Sequence, residues 1–234
     1  MRDTSALYQQ ILEQPDHYKE VQVKIGTTVH PYLSCSVYGS LYEKASVGGT
    51  AARQIDLDIY PAGPVNDDDP IQIFVRLSSA DGAQKSEWIP KGTFLIDTNP
   101  VDHDTGVMSI HGFDAMLKME QPIIAKDAPS GQWPRAVDSI MEEIAERIGV
   151  ELDSRTTLNP AYTIPLPLDP SSGENDSIYL SMRTIAGYIA AMHGGNWTIT
   201  DENRLLLVPL AADITLLSDE DDVAILFGDT LILV

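Results

Sequence analysis

The 234-residue chain holds 15 Lys or Arg against 35 Asp or Glu, a formal charge of −20 with a pI near 4.3. That shortage of cations excludes nucleic-acid binding as a main activity, because affinity for phosphate comes from Lys and Arg; 43% hydrophobic and 21% charged residues exclude a disordered polyanion. No apolar run reaches the roughly 20 residues of a spanning helix, MRDTSALYQQ lacks the apolar core of a secretion signal, and the single cysteine, Cys35, allows neither an intrachain disulfide nor a cysteine-based zinc site.

The expectation is a soluble acidic globular protein made in the cytosol, of one large domain or two small ones. The first stretch, SALYQQILEQ, predicts a helix with Leu7, Tyr8, Ile11 and Leu12 on one face, capped by Thr4 or Ser5 and stopped by Pro15. The period then switches to two. Val21, Val23 and Ile25 alternate with polar residues, as do Leu33, Cys35 and Val37, then Ile55, Leu57 and Ile59, then Ile71 to Leu77. Phe94 and Ile96 follow, and then Val107 to His111, with turn chemistry at Gly48-Gly49, Pro61 to Pro64, Asp81-Gly82 and Thr105-Gly106. Short alternating strands with such punctuation predict an antiparallel sheet curled into a barrel or sandwich.

After His111 the pattern changes. Asp114 can cap a short helix over Ala115 to Lys118, and Pro134 suits the first position of a helix carrying Val137, Ile140, Met141, Ile144 and Ile148, ended by Gly149. Ser181 can cap another helix, with Met182, Ile185, Ile189 and Met192, ended by Gly194-Gly195. A hairpin follows, from Trp197 to Val208 around Asp201-Glu202-Asn203. A last hairpin, Val223 to Phe227 and Thr230 to Val234 about Gly228-Asp229, is too small to fold alone. Its return to the first sheet would make the middle unit an insertion. The expected division is 1–118 with 213–234, and 119–212 inserted.

Chemistry is sparse. The sequence has no phosphate-cradling GxxxxGK[ST], no HExxH and no GxSxG. His17, His30, His103, His111 and His193 are scattered, and His103 between Asp102 and Asp104 reads as a solvated turn rather than a metal or catalytic group. Asn66 to Asp69 and Ser218 to Asp222 are acidic but lack the alternating ligands and central Gly of a calcium loop. Cys35 lies on an apolar strand face, where cysteine behaves as a small hydrophobe. Asp56, Asp58 and Glu87 are the carboxylates a glycan hydrolase would need across a cleft. Clustered exposed Trp and Tyr would be the signature of a carbohydrate- or receptor-binding β module, and Trp88, Trp133 and Trp197 are far apart in sequence. The expectation is a non-enzyme with no catalytic, cofactor-binding or metal-binding residues.

Several phrases then fall in one collinear order. They are SEWIPKGTFLID (Ser86–Asp97), Thr105-Gly106-Val107, HGFDAMLKMEQ (His111–Gln121), IGVELDSRT (Ile148–Thr156), and Ser181-Met182-Arg183 before GYIAAMHGGNWTITDENRLLLVPL (Gly187–Leu210). Together they resemble the baseplate or tail-tip hub proteins of phages and prophages, at the N-terminal part of tail-associated proteins. The resemblance implies an α+β protein: an antiparallel β-barrel-like domain with an inserted small α/β domain. It also implies a homo-oligomer, a trimer, joining the tail tube to the distal tip beside distal tail, tape-measure and spike proteins. The chain would then belong to the virion, made in the bacterial host cytoplasm. Phe113 stands where the family more often has Tyr, and Thr184 where Glu would complete a capping box. The family also carries a second barrel beyond the insertion, where this sequence stops at Val234; a short member, a truncated product, or supply by other chains are the alternatives. Candidate ring contacts are the hairpin around Gly228-Asp229 and the edge from Leu33 to Val37. An acidic channel wall would let DNA pass without sticking.

Overall fold

A computed structural model describes residues 4–39, 47–124, 133–165, 180–210, 214–219, 222–227 and 230–233, the last three as backbone. Helix α1 spans Ala6–Leu12, and the Ser5 hydroxyl accepts the Tyr8 N–H at its start. It buries only Ile11; Leu12 is exposed.

The first body is a seven-stranded antiparallel sheet built from β1 (His17–Ile25), β2 (Thr28–His30), β3 (Tyr32–Tyr38), β4 (Gln54–Ile59), β5 (Ile71–Ser79), β6 (Ile89–Thr98) and β7 (Met108–Phe113). Its order is β2-β1-β5-β6-β7-β4-β3. Two bends fold it into facing layers. Strand β6 pairs with β5 through Ile89 to Phe94 and with β7 from Leu95 onward, and a register shift marks each ladder. Strands that change layer through bulges make such corners. The second bend lies at Pro31, between β2, which pairs with β1, and β3, which pairs with β4.

The alternation read from sequence fills the space between the layers. Val23, Ile25, Ile71, Ile73 and Phe94 on one side meet Ile55, Leu57, Ile59, Met108 and Ile110 on the other. The curled-sheet expectation therefore holds, but barrel closure does not. The terminal strands of the order, β2 and β3, are joined by the chain and not by a ladder. Pro31, between them, fixes its own φ where the chain bends from one to the other.

The second body starts where Asp114 caps a 3-10 turn over Ala115–Glu120 by accepting the Met116 N–H. Helix α2 (Val137–Ile148) buries the predicted stripe and ends at Gly149 with φ 80°. Pro134 does not start it. Pro134 follows a cis peptide bond, Arg135–Ala136 form β8, and the helix begins after Ala136 with no side-chain cap. Helix α3 (Met182–Met192) is capped by Ser181, whose hydroxyl accepts the Thr184 N–H. The predicted hairpin is β11 (Gly195–Ile199) with β12 (Arg204–Pro209), turning at Asn203 with φ 61°. Glu151–Leu152 forms β9, which adds to β12 in parallel, and Thr163–Ile164 forms β10, which pairs with β8. One apolar cluster joins Met116, Met119, Ile140, Met141, Ile144, Ile185, Ile189 and Trp197.

The tail forms β13 (Ile214–Asp219), β14 (Asp222–Phe227) and β15 (Thr230–Leu233), paired with one another in order. The predicted pairing of the last two is present, from Ala224↔Leu233 to Phe227↔Thr230. No ladder among the described residues joins these strands to the seven-stranded sheet.

The segment before β4 holds the two bodies together. Gly48 N–H donates to Gly195 O at 2.9 Å and Trp197 N–H donates to Gly49 O at 2.9 Å. Arg53 then reaches across: Nη1 donates to Asp201 Oδ1 at 2.8 Å, Nη2 to Thr200 O at 3.3 Å, and the guanidinium lies 5.6 Å from the Phe94 ring centre. Its backbone N–H donates to Asp114 Oδ2 at 3.0 Å. Gly92, at φ 140°, leaves the room this takes, since a Cβ there would sit 2.9 Å from Arg53 Nη2. Arg183 in α3 donates to Met116 O at 3.0 Å and to Thr50 O.

Asp114 is fully buried, and burial pushes its carboxyl upward against the hydrogen bonds and the nearby Arg53 charge. Asp114→Ala strands these donors and should cost about 3 kcal/mol, as removing one partner of a buried pair does; urea unfolding reads it. A loss below about 1 kcal/mol would mean that water replaces the carboxylate. At the β6 corner a Cβ on Gly112 would lie 2.4 Å from Leu95 O. Gly112→Ala should therefore cost roughly 1–3 kcal/mol and appear as a lower thermal midpoint, while an unchanged midpoint would show that the corner can relax.

Candidate functional site

The least self-satisfied part of the first body is β3. A strand within a sheet alternates buried and exposed residues, and β4 does so. Along β3 every residue is exposed except Cys35, which is half-buried. Leu33 is 55% exposed, Val37 40% and Tyr38 51%. The register explains part of this. Cys35 lies opposite Leu57 and Val37 opposite Ile55, so both share the core-facing side of the sheet, but Val37 has passed beyond the filled interior. Burial pushes the Cys35 thiol up, with a small opposing effect from the Lys19 ammonium, which keeps it a protonated packing group. Strand β1 meets β2 only at Val23 to Ile25, so its first half also presents an edge without a ladder partner among the described residues. Tyr18, Val29 and Tyr60 add exposed apolar surface.

The opposite face of the same strands is polar. Asp58 accepts from the hydroxyls of Ser109 at 2.6 Å and Ser34 at 2.8 Å, which hold its carboxyl below the usual carboxylate range. The His111 ring and Asp56 are 2.7 Å apart, and His111 stands edge-on to Phe113. The carboxylates weighed for hydrolysis thus lie along one exposed strand face rather than across a cleft, and Glu87 instead receives the N–H and hydroxyl of Ser5.

The remaining predicted residues are spread through the molecule. His103 is exposed in a turn where Asp102 accepts the N–H groups of Asp104 and Thr105, chiefly the former lowering its carboxyl. Buried His30 accepts the Ala62 N–H at Nδ1, and desolvation lowers its pKa. His17 contacts Gln14 O, and His193 links Ile189 O to the Asn159 N–H. Asp69 closes its own turn through Asn66, and Asp67 accepts from Asn99. The side chains of Ser218 to Asp222 lie outside the described residues. No three His, Cys, Asp or Glu side chains converge on a metal-sized site among the described residues. Trp197 is buried with its indole N–H on Ala186 O, Trp88 lies under the Arg76 guanidinium at 4.2 Å, and Trp133 lies under Arg135 at 5.3 Å.

Sequence reasoning missed one polar groove of about 500 Å³, lined by Asp153, Arg155, Asp201, Glu202, Arg204 and Leu206. Its buried member is Asp153. Arg155 donates to it through Nε at 2.7 Å, Nη2 at 2.8 Å and its backbone N–H at 3.0 Å, and the side-chain bonds lead in lowering the carboxyl to about 2. The spacing Asp-Ser-Arg was the available signal, an Asx-type turn that closes on its own cation.

Two solved structures share this architecture. The first is a crystal structure of the prophage MuSo2 43 kDa tail protein from Shewanella oneidensis, with TM-score 0.52 and 15% identity over 86% of this chain and 59% of that one. The second is a tail protein from Neisseria meningitidis MC58, with TM-score 0.50 and 15% identity over 81% of this chain and 50% of that one. The chain has a fold found in phage tail proteins. It spans only 59% and 50% of those proteins' lengths. No family model and no curated protein matches the sequence.

Asp153 gives a pH prediction. Its folded pKa is depressed, so its contribution to stability is complete above the unfolded value of about 4 and is lost as pH falls toward about 2. Arg155→Ala should flatten that part of the profile. Denaturant midpoints at about pH 4.5 and pH 2 should differ less in the variant than in the wild type. Asp114, raised by burial, contributes with the opposite sign but equally in both proteins. Identical profiles would remove Arg155 from this role.

Proposed function

We infer that the chain is a structural, non-catalytic subunit of a phage or prophage tail, placed at the tail-tip or baseplate hub between the tube and the distal tip. The observation that carries this is the likeness of fold to two tail proteins over 86% and 81% of the chain, which takes in more than the sheet alone. The open β3 edge supports it, because a subunit that works by assembly needs unsatisfied surface where an enzyme needs a cleft. In this reading 1–118 and 213–234 form the hub body, 119–212 is the insertion, and three copies make the working unit.

The net charge of −20 fits a component past which DNA moves without adhering, the acidic groups repelling phosphates along the way. Neighbouring subunits would be distal tail or tube proteins on one side and tip or spike proteins on the other.

Co-expression with the adjacent tube and tip proteins tests the assignment. The expected result is a complex holding three copies of this chain, with gold-labelled chain found at the end of the tail in electron micrographs. A chain absent from purified tail particles, or one that cleaves glycan alone, would overturn it.

A further inference from the structure

The residue string of β3 is Tyr32-Leu33-Ser34-Cys35-Ser36-Val37-Tyr38, and it reads nearly the same in both directions. About Cys35, serine matches serine, leucine matches valine, and tyrosine matches tyrosine. Two such strands laid antiparallel and centred on Cys35 would set serine opposite serine on either side of a central cysteine pair, with leucine and tyrosine facing valine and tyrosine beyond the register shift at Leu33. Cross-strand aromatic and hydroxyl pairs are the favourable ones, and an isologous contact needs this reciprocity: residue i meets j while j meets i.

The backbone offers the same opportunity. β3 uses one side for β4 and has no ladder on its other side among the described residues. Its register shift lies between Tyr32 and Ser34, at one end, so Ser34 to Tyr38 runs regularly. No residue of the strand is charged. Charges, prolines, shortness and bulges are among the means by which edges resist pairing; this seven-residue edge has no charge or proline inside it, and its one bulge lies at its first end. A shift by one residue would oppose Ser to Val and turn the apolar set to the wrong face, so the centred register is favoured over its neighbours.

We propose that the free chain forms a two-fold dimer in which β3 pairs antiparallel with β3 of a second copy, centred on Cys35, joining the two seven-stranded sheets edge to edge. The pair covers Leu33, Val37 and the flanking tyrosines. A two-fold contact cannot by itself build a three-fold ring, so the dimer is the state of the free chain alone. The inference stands on the strand alone and does not need the tail assignment.

Light scattering of the full reduced chain should show a mass rising with concentration from 25.6 kDa to twice that value. Facing residues of an antiparallel pair have Cα atoms roughly 4.5–5.5 Å apart, inside the range of roughly 4.4–6.8 Å that a disulfide spans. Diamide, as oxidant, should therefore give a covalent dimer through the only cysteine, faster in native buffer than in urea. Cys35→Ser should keep the mass doubling and lose the cross-link. Val37→Lys and Ser36→Lys, each checked for folding by circular dichroism, should leave a monomer, because each places a charge within the pair. A chain that stays monomeric at all concentrations, a threefold mass, or a dimer that survives both lysine variants would overturn the proposal. These outcomes are read on the isolated chain and tail placement on particles, so either can fail without the other.

Discussion

Pro31 stands between two strands that the sheet needs at opposite ends of its order. The hairpin of β1 and β2 ends at His30, and proline next in the chain fixes φ at the bend. The chain leaves β1 and crosses to β4, and its Pro31 carbonyl accepts the Tyr60 N–H at 3.0 Å as it turns. The bend at Pro31 thus sits where the chain passes from one end of the strand order to the other. The complementary bend in β6 uses register shifts and the close approach at Gly112. Between the two corners the layers enclose a core made largely of β-branched residues and a single phenylalanine, as suits strands packed face to face.

The second body is attached by a different kind of chemistry. Arg53 touches a carboxylate in the turn between β11 and β12, a carbonyl beside it and an aromatic ring of β6, while its own backbone is held by Asp114. These contacts are directional, unlike the apolar clusters, which lie within each body. Arginine's fixed fork suits such a place because several acceptors at set angles can be met without much loss of freedom.

Much of this was legible in the sequence, and the failures have definite causes. Period-two alternation located β1, β4 and β5, and helical spacing located α2 and α3, because in each case one face is packed; the same alternation located β3, whose face is not. Ser5, Asp114 and Ser181 announced their caps. Pro134 misled, since proline suits a helix start and a turn equally well, and here the turn took it. Alternation also promised β3 a buried face, but a pattern within one strand says nothing about whether another layer reaches it. The groove at Asp153 brings together residues about 50 positions apart, and no local pattern carries that. The resemblance supplied the tail context, which periodicity could not.

The segment from Gly48 to Arg53 has a mechanical consequence. Its hydrogen bonds to β11 lie just upstream of β4, in the same stretch of chain. A pull on the α/β body is therefore delivered to the sheet through β4, beside the edge strand β3, as well as along the covalent path that leaves β7. Attachment at two neighbouring strands, rather than one, resists twisting of one body against the other.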